Sequence, residues 1–199
     1  MNRTLILLTL MAGASVALAA ADVGKPAPEF TATDINGKTI KLSDFQGKIV
    51  VLESYNQDCP YCHNQYKSGA MQELQQQLTN QGVVFLVVNS VSPSNPSHRS
   101  PEAARQEWAE EKLHATAWID DSSGELGHKY GMRTTPHMFV IDSKGMLVYQ
   151  GAIDDRPSPS GDPRTARNYV REAVKALQAG QKVETTETKP YGCGVKYGS

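Results

Sequence analysis

Two cysteines separated by two residues stand where an apolar strand gives way to a helix, and few folds accept that arrangement. Ile49-Val50-Val51-Leu52 is an unbroken apolar run, Cys59-Pro60-Tyr61-Cys62 follows it closely, and a long stretch with helical spacing comes next. The apolar run reads as a strand buried on both faces. Pro60 suits the first helical position, where its missing N–H costs nothing. Cys59 and Cys62, three residues apart on a helix, share a face. A pair held this way can interconvert between a dithiol and a small disulfide ring.

The rest of the chain supplies a setting for that turn. Phe30 to Thr33 and Thr39 to Leu42 flank Asn36-Gly37 and predict a hairpin. Ser43 to Gly47 predicts a single capped turn, and Ile49 to Tyr55 a strand. The helix opened by Pro60 should run to about Asn80 with a bend at Gly69, and Val83 to Val88 is a second buried strand. Strand, helix, strand in this order predicts parallel neighbours. Val91 to Pro101 reads as a loop and Ser100-Pro101 as a helix start. Short strand and helix signals follow at Ala117 to Asp120 and Glu125 to Tyr130. Thr134-Thr135-Pro136 introduces a strand over His137 to Ile141, and Met146 to Gly151 returns antiparallel to it. Asp162-Pro163 predicts the cap of a last helix, with Ala166, Tyr169, Val170, Ala173, Val174 and Leu177 on one face. Residues 181–199 are polar apart from Tyr191-Gly192-Cys193-Gly194 and read as an extended tail. The expected class is therefore α/β, a central mixed sheet flanked by helices, with an N-terminal hairpin and an extended C-terminal tail.

At a helix start, unpaired N–H groups and the helix dipole stabilise an anion, so the Cys59 pKa should fall below that of a free thiol. His63, one turn along, adds positive charge when protonated, whereas Asp58 acts the other way. Cys62 should be less exposed and serve as the resolving thiol. Glu53, six residues before Cys59, is the one charged residue in the strand. Buried there, its carboxyl pKa would rise, and it could take the Cys62 proton during resolution. At a solvated strand end it would do neither. The Cys-x-x-Cys pair has other readings. An inert disulfide is one, and a copper or zinc carrier using Cys59, Cys62 and a histidine is another. Structural zinc usually needs two more ligands at matching spacing, and His63, His137 and Cys193 are the candidates, none in a second close pair. Cys59 to His63 also matches the attachment pattern of c-type haem, with Met132 or Met138 as axial ligand, but the buried strands around it argue against a haem pocket. The reading adopted requires no cofactor and no metal. His98, His114 and His128 read as surface or packing residues, and Asp154-Asp155 as turn caps that could edge the site.

The acid six residues before Cys-x-x-Cys, the long helix and the later Thr-Pro opening a strand resemble thioredoxin-like proteins. More narrowly, Val23 to Leu177 is similar to the exported redoxin-domain branch, which borders the alkyl hydroperoxide reductase and thiol-specific antioxidant families. The resemblance implies a thioredoxin-like fold, a cis peptide bond at Thr135-Pro136 set against the cysteines, and Thr135 backbone groups pairing with an extended substrate. It makes Pro60, Tyr61, Thr135 and Pro136 the substrate-contacting residues, and Pro60-Tyr61 is similar to the glutaredoxin dipeptide. Peroxiredoxins carry Thr or Ser three residues before the reacting cysteine and Pro seven before it. Here Asn56 and Leu52 stand there, which weighs against a thiol peroxidase using Cys59 with Cys62 or Cys193. Some relatives that the chain resembles keep a cysteine in a Tyr-Gly-Cys tail. Cys193 is thus an accessory candidate, either folding back on Cys59 or standing as a free tail thiol.

Compartment and partners come from the ends and the charge. Arg3 is the only charge before Asp22, Leu5 to Leu18 is apolar, and Ala17-Leu18-Ala19 and Ala19-Ala20-Ala21 are small-x-small cleavage sites. That layout predicts a secretory signal peptide over 1–21. The run is shorter than the roughly 20 residues a spanning helix needs. The expected division is signal 1–21, thioredoxin-like domain 22–180 and tail 181–199, with a periplasmic or other extracytoplasmic location and no stable membrane insertion after cleavage. The cleaved chain would carry 19 basic and 21 acidic side chains with no basic block, so nucleic acid is not an expected partner. The expected partners are protein or small-molecule thiols and disulfides and a redox partner protein. Three cysteines in an oxidising compartment leave one thiol over or conditionally paired.

Overall fold

The computed structural model describes residues 21–198. The signal-peptide expectation, except for Ala21, lies outside the described residues. Among the described residues no helix is long and apolar enough to cross a membrane.

The hairpin forms as expected, β1 (Thr31–Asp34) against β2 (Thr39–Lys41). Its turn is fixed by Asp34 Oδ1, which accepts from the Asn36 and Lys38 N–H groups at 2.8 Å each. Gly37 supplies the positive φ of 79° that the turn requires. β3 (Val50–Ser54) and β4 (Val84–Asn89) are buried along their whole length and run parallel. β5 (Ala117–Asp120) extends the parallel set beside β4. A two-residue strand, β6 (Thr134–Thr135), precedes β7 (His137–Ile141), which pairs antiparallel with β3, and β8 (Leu147–Gly151) closes that edge. The seven-stranded order is β2-β1-β5-β4-β3-β7-β8, a mixed sheet as the βαβ signal and the antiparallel return required.

Strand alternation sends side chains to two cores. Val51, Tyr55, Val87, Trp118, Met138 and Val140 lie in one with Cys59, Cys62, Met71, Leu74 and Val174. Val50, Leu52, Leu86, Ile119 and Phe139 lie in the other with Leu126 and Tyr130. Helices therefore cover both faces. The long helix after the cysteines is two: α1 (Pro60–Lys67) and α2 (Ala70–Asn80), broken at Gly69, whose φ of 81° no helix admits. α3 (Pro101–Glu110) starts at Ser100, whose Oγ accepts from Ala103 N–H at 3.3 Å. α4 (Glu125–Tyr130) is short.

The last helix departs from expectation. Asp162-Pro163 opens only a 3-10 turn over Pro163–Thr165, Ala166 is extended, and α5 (Tyr169–Gln178) begins after Asn168. The backbone between them is claimed by tertiary hydrogen bonds, from Asp155 N to Arg167 O at 3.1 Å and from Tyr169 N to Ile153 O at 3.0 Å. Ala166 is accordingly absent from the helical face, which Val170, Ala173 and Val174 bury. Asn168 is the true cap, its Oδ1 accepting from Arg171 N–H at 2.8 Å. Asn168→Ala should cost about 1 kcal/mol, read as a lower urea midpoint at unchanged slope; an unshifted midpoint would refute the cap.

The tail is extended, as expected, but it is also docked. Thr188 N donates to Gln150 O at 3.1 Å along β8. Further on, β9 (Cys193–Gly194) pairs antiparallel with β6, and Tyr197 Oη donates to Met132 O at 2.8 Å.

Candidate active site

β3 delivers the chain to Cys59, which is the N-cap of α1 with extended backbone angles, and Pro60 takes the first helical position. The open N–H groups of the first turn thus lie beside the Cys59 sulfur. As a thiol, Cys59 donates to the Thr135 carbonyl at 2.8 Å. Thr135–Pro136 is cis, and both residues are buried. The two cysteines, joined by sequence, and the Thr-Pro pair, distant in sequence, are therefore one site.

The two thiols have opposite electrostatics. Hydrogen bonding from the Cys62 thiol pulls Cys59 down to about 4, helped by the Thr135 side chain, the Cys62 N–H and the Cys193 thiol, and opposed by burial. Burial pushes Cys62 well above the ordinary thiol range, and its hydrogen bond to Cys59 and the Cys59 and Glu53 charges push the same way. In the reduced protein the ultraviolet absorbance of a thiolate should persist to about pH 5 and be lost through about pH 4. Cys59→Ser should remove it, and a midpoint near that of a free thiol would contradict the assignment.

Glu53 is fully buried. It alternates onto the cysteine face with Val51 and Tyr55 and sits opposite Met138 in β7. Tyr66 Oη donates to its Oε2 at 2.7 Å, and Gln75 Nε2 donates to Tyr66 Oη at 3.2 Å. Oε1 has no hydrogen-bond partner among the described residues. Burial raises the Glu53 pKa to about 8 against the opposing Tyr66 hydrogen bond. The solvated strand-end alternative is excluded.

Other predicted residues separate into near and far. Tyr61 packs on Tyr191 of the tail, with ring centroids 5.7 Å apart. His63 is exposed on α1. His137 is buried, but strand alternation places it with Phe139, 4.4 Å between ring centroids, on the face opposite Met138 and the cysteines. Its Nδ1 accepts from Arg133 N–H at 3.3 Å, and burial lowers its pKa to about 3, so it is neutral and turned from the sulfurs. Asp58 bears less on Cys59 than its position suggested, because Arg99 Nη2 binds its Oδ1 at 3.1 Å. Among the described residues no group of three or more His, Cys, Asp or Glu side chains is arranged to hold a metal ion.

Sequence reasoning missed several polar neighbours. Tyr66, which reaches Glu53 from α1, carried no polar signal in the sequence. Asp154, read as a turn cap that could edge the site, does cap the turn, accepting from Arg156 N–H at 2.9 Å. It is also buried and accepts from Gln65 Nε2 at 2.8 Å and Tyr191 Oη at 2.5 Å. Cys193 lies opposite Thr135 across the β6–β9 pair, and Thr135 Oγ1 donates to Cys193 O at 3.4 Å. The isolated apolar patch Tyr191-Gly192-Cys193-Gly194 was the one signal that the tail docks.

A dithiol at a helix start, a cis-proline beside it and a buried acid beneath it define a thioredoxin-like redox protein. Residues 23–150 match the AhpC/TSA family, and the chain belongs to that family. The thiol-disulfide oxidoreductase ResA of Bacillus thuringiensis subsp. konkukian (strain 97-27) is 29% identical over 129 residues, 65% of this chain and 69% of that protein. Among solved structures, the hypothetical protein SMc02350 from Sinorhizobium meliloti 1021 aligns with a TM-score of 0.79 at 23% identity, over 91% of this chain and 97% of that one. A putative thioredoxin from Neisseria meningitidis aligns with a TM-score of 0.52 at 25% identity, over 65% and 79%.

Proposed function

We infer that this protein is an extracytoplasmic thiol–disulfide oxidoreductase acting through Cys59 and Cys62. The observation that carries the reading is the placement of the pair, Cys59 at the N-cap of α1 and 2.8 Å from the Thr135 carbonyl, Cys62 buried one turn on, which lowers the first thiol and raises the second. Relatives named thiol-disulfide oxidoreductase ResA, and a thiol:disulfide interchange protein DsbE of Pseudomonas aeruginosa at 28% identity, support it.

The Cys59 thiolate attacks a substrate disulfide, a mixed disulfide forms, and one substrate thiolate leaves. Cys62 then attacks the Cys59 sulfur and passes its proton to ionised Glu53, directly or through water. The Cys59–Cys62 disulfide closes and the second substrate thiol departs, so two electrons have moved to the substrate. A dithiol on a redox partner protein restores the pair. Run in reverse, the oxidised pair takes electrons from a substrate dithiol. Thr135 and Pro136 form the edge against which an extended substrate lies, with Pro60 and Tyr61 beside it. Residues 1–21 act as the export signal, 22–180 as the catalytic domain and 181–199 as a tail.

The test is reduction of insulin disulfides by dithiothreitol. The protein should accelerate it well above the dithiothreitol background, and no acceleration would sink the reading.

A further inference from the structure

In this structure the edge that would receive a substrate is already occupied. β9 pairs antiparallel with β6, Thr135 opposite Cys193 and Thr134 opposite Gly194. Cys193 thus stands across the strand pair from Thr135, whose carbonyl lies 2.8 Å from the Cys59 sulfur, and Cys59 is left only 1% exposed. The strand is held from both sides. Tyr191 donates to Asp154 and packs on Tyr61. Val195 N donates to Arg133 O at 3.2 Å, Ser92 N donates to Lys196 O at 2.8 Å, and Tyr197 stacks on His128 at 3.9 Å. The approach to Thr135 is so close that Gly192, at φ 127°, admits no side chain: a Cβ there would collide with the Thr135 carbonyl. Loose packing of a polar tail would produce neither this register nor this contact.

We propose that the C-terminal strand is a tethered substrate, and that Cys193 exchanges a disulfide with Cys59 in competition with Cys62. The inference rests on reading Cys59 as the attacking thiol. In the oxidised protein the Cys193 sulfur attacks Cys59, the Cys59–Cys193 bond forms as Cys59–Cys62 breaks, and the proton lost by Cys193 is taken up by Cys62. No electron enters or leaves, so no oxidant is required. Tethering makes the encounter intramolecular, and the paired strand holds the sulfurs at an effective concentration that a free thiol cannot match. A protein substrate must lift β9 from β6 before its own chain can lie there.

The test uses the full chain with Cys62→Ser and the aromatic disulfide reagent 5,5′-dithiobis(2-nitrobenzoate). The reagent forms a mixed disulfide on either remaining thiol, and the other thiol then displaces the bound thionitrobenzoate. Mass spectrometry should find no retained thionitrobenzoate, and peptide mapping should find one disulfide, Cys59–Cys193. Gly192→Val in the same background should slow that closure at least about tenfold, because it strains the β6–β9 contact. Thionitrobenzoate kept on Cys59 in folded protein overturns the proposal but leaves the Cys59 reading standing. A Cys59 that does not react overturns both. Should Cys62→Ser fail to fold, the wild-type chain carries the test. After limited oxidation, acid quenching, unfolding and maleimide labelling, the free thiol should be divided between Cys62 and Cys193, and a label on Cys193 alone overturns the exchange.

Discussion

Cys59→Ser is expected to lower catalysed insulin reduction at least about a thousandfold, to the dithiothreitol background. A serine hydroxyl is not ionised at neutral pH and cannot form the mixed disulfide. Cys62 cannot substitute, because it lies inside the first turn of α1 and not at its N-cap, and its thiol is held well above the ordinary range by burial. Cys62→Ser should behave differently, completing the first attack and then depending on Cys193 or external thiol for release. A Cys59→Ser protein within about tenfold of wild type would overturn the assignment of the nucleophile, given that loss of a reacting group costs several powers of ten.

The second large effect is expected at Glu53. Loss of a positioned base costs about a hundredfold or more, so Glu53→Gln should slow release of the mixed disulfide by that order while sparing the first attack. In the wild type, release should quicken as pH rises through about 8, where Glu53 ionises, and the variant should lack that rise. Stability gives an independent reading. The folded pKa of about 8 lies above the ordinary carboxyl value of 4.5, so the stabilisation is fully present below about 4.5 and lost as pH rises through about 8. The loss amounts to about 5 kcal/mol. Cys59 runs the other way in the reduced protein, since its folded pKa is lowered and its contribution disappears as pH falls. Comparing wild type with Glu53→Gln at each pH cancels that opposing contribution. The variant should gain on the wild type by several kcal/mol between about pH 5 and about pH 9 in urea unfolding. Equal slowing of both chemical steps, or a pH-independent stability difference, would count against a buried, proton-exchanging Glu53.

These two residues differ in how far they could be read without coordinates. Cys59 was placed by local rules alone: an apolar strand, a proline at the first helical position and a second cysteine one turn on. Those rules also gave β3, β4, α1 and the hairpin, because period and turn chemistry act over a few residues. They misjudged α5, where Asp162-Pro163 looked like a cap but backbone bonds to residues 153–155 set the start at Asn168. Glu53 was half legible. Its apolar neighbours suggested burial, but the hydroxyl that reaches it is on Tyr66, thirteen residues away.

The sequence by itself determined that a strand feeds a cysteine pair into a helix start, and so that a thiolate would be favoured at position 59. Only the tertiary structure decided which groups surround that sulfur. Thr135 and Cys193 are 58 residues apart, and β6 and β9 are two residues each, too short to leave a periodic signature. Their pairing comes from Tyr191, Gly192 and Tyr197 fitting surfaces built by other parts of the chain. That is a matter of shape and hydrogen bonding across the fold, which local propensity does not encode.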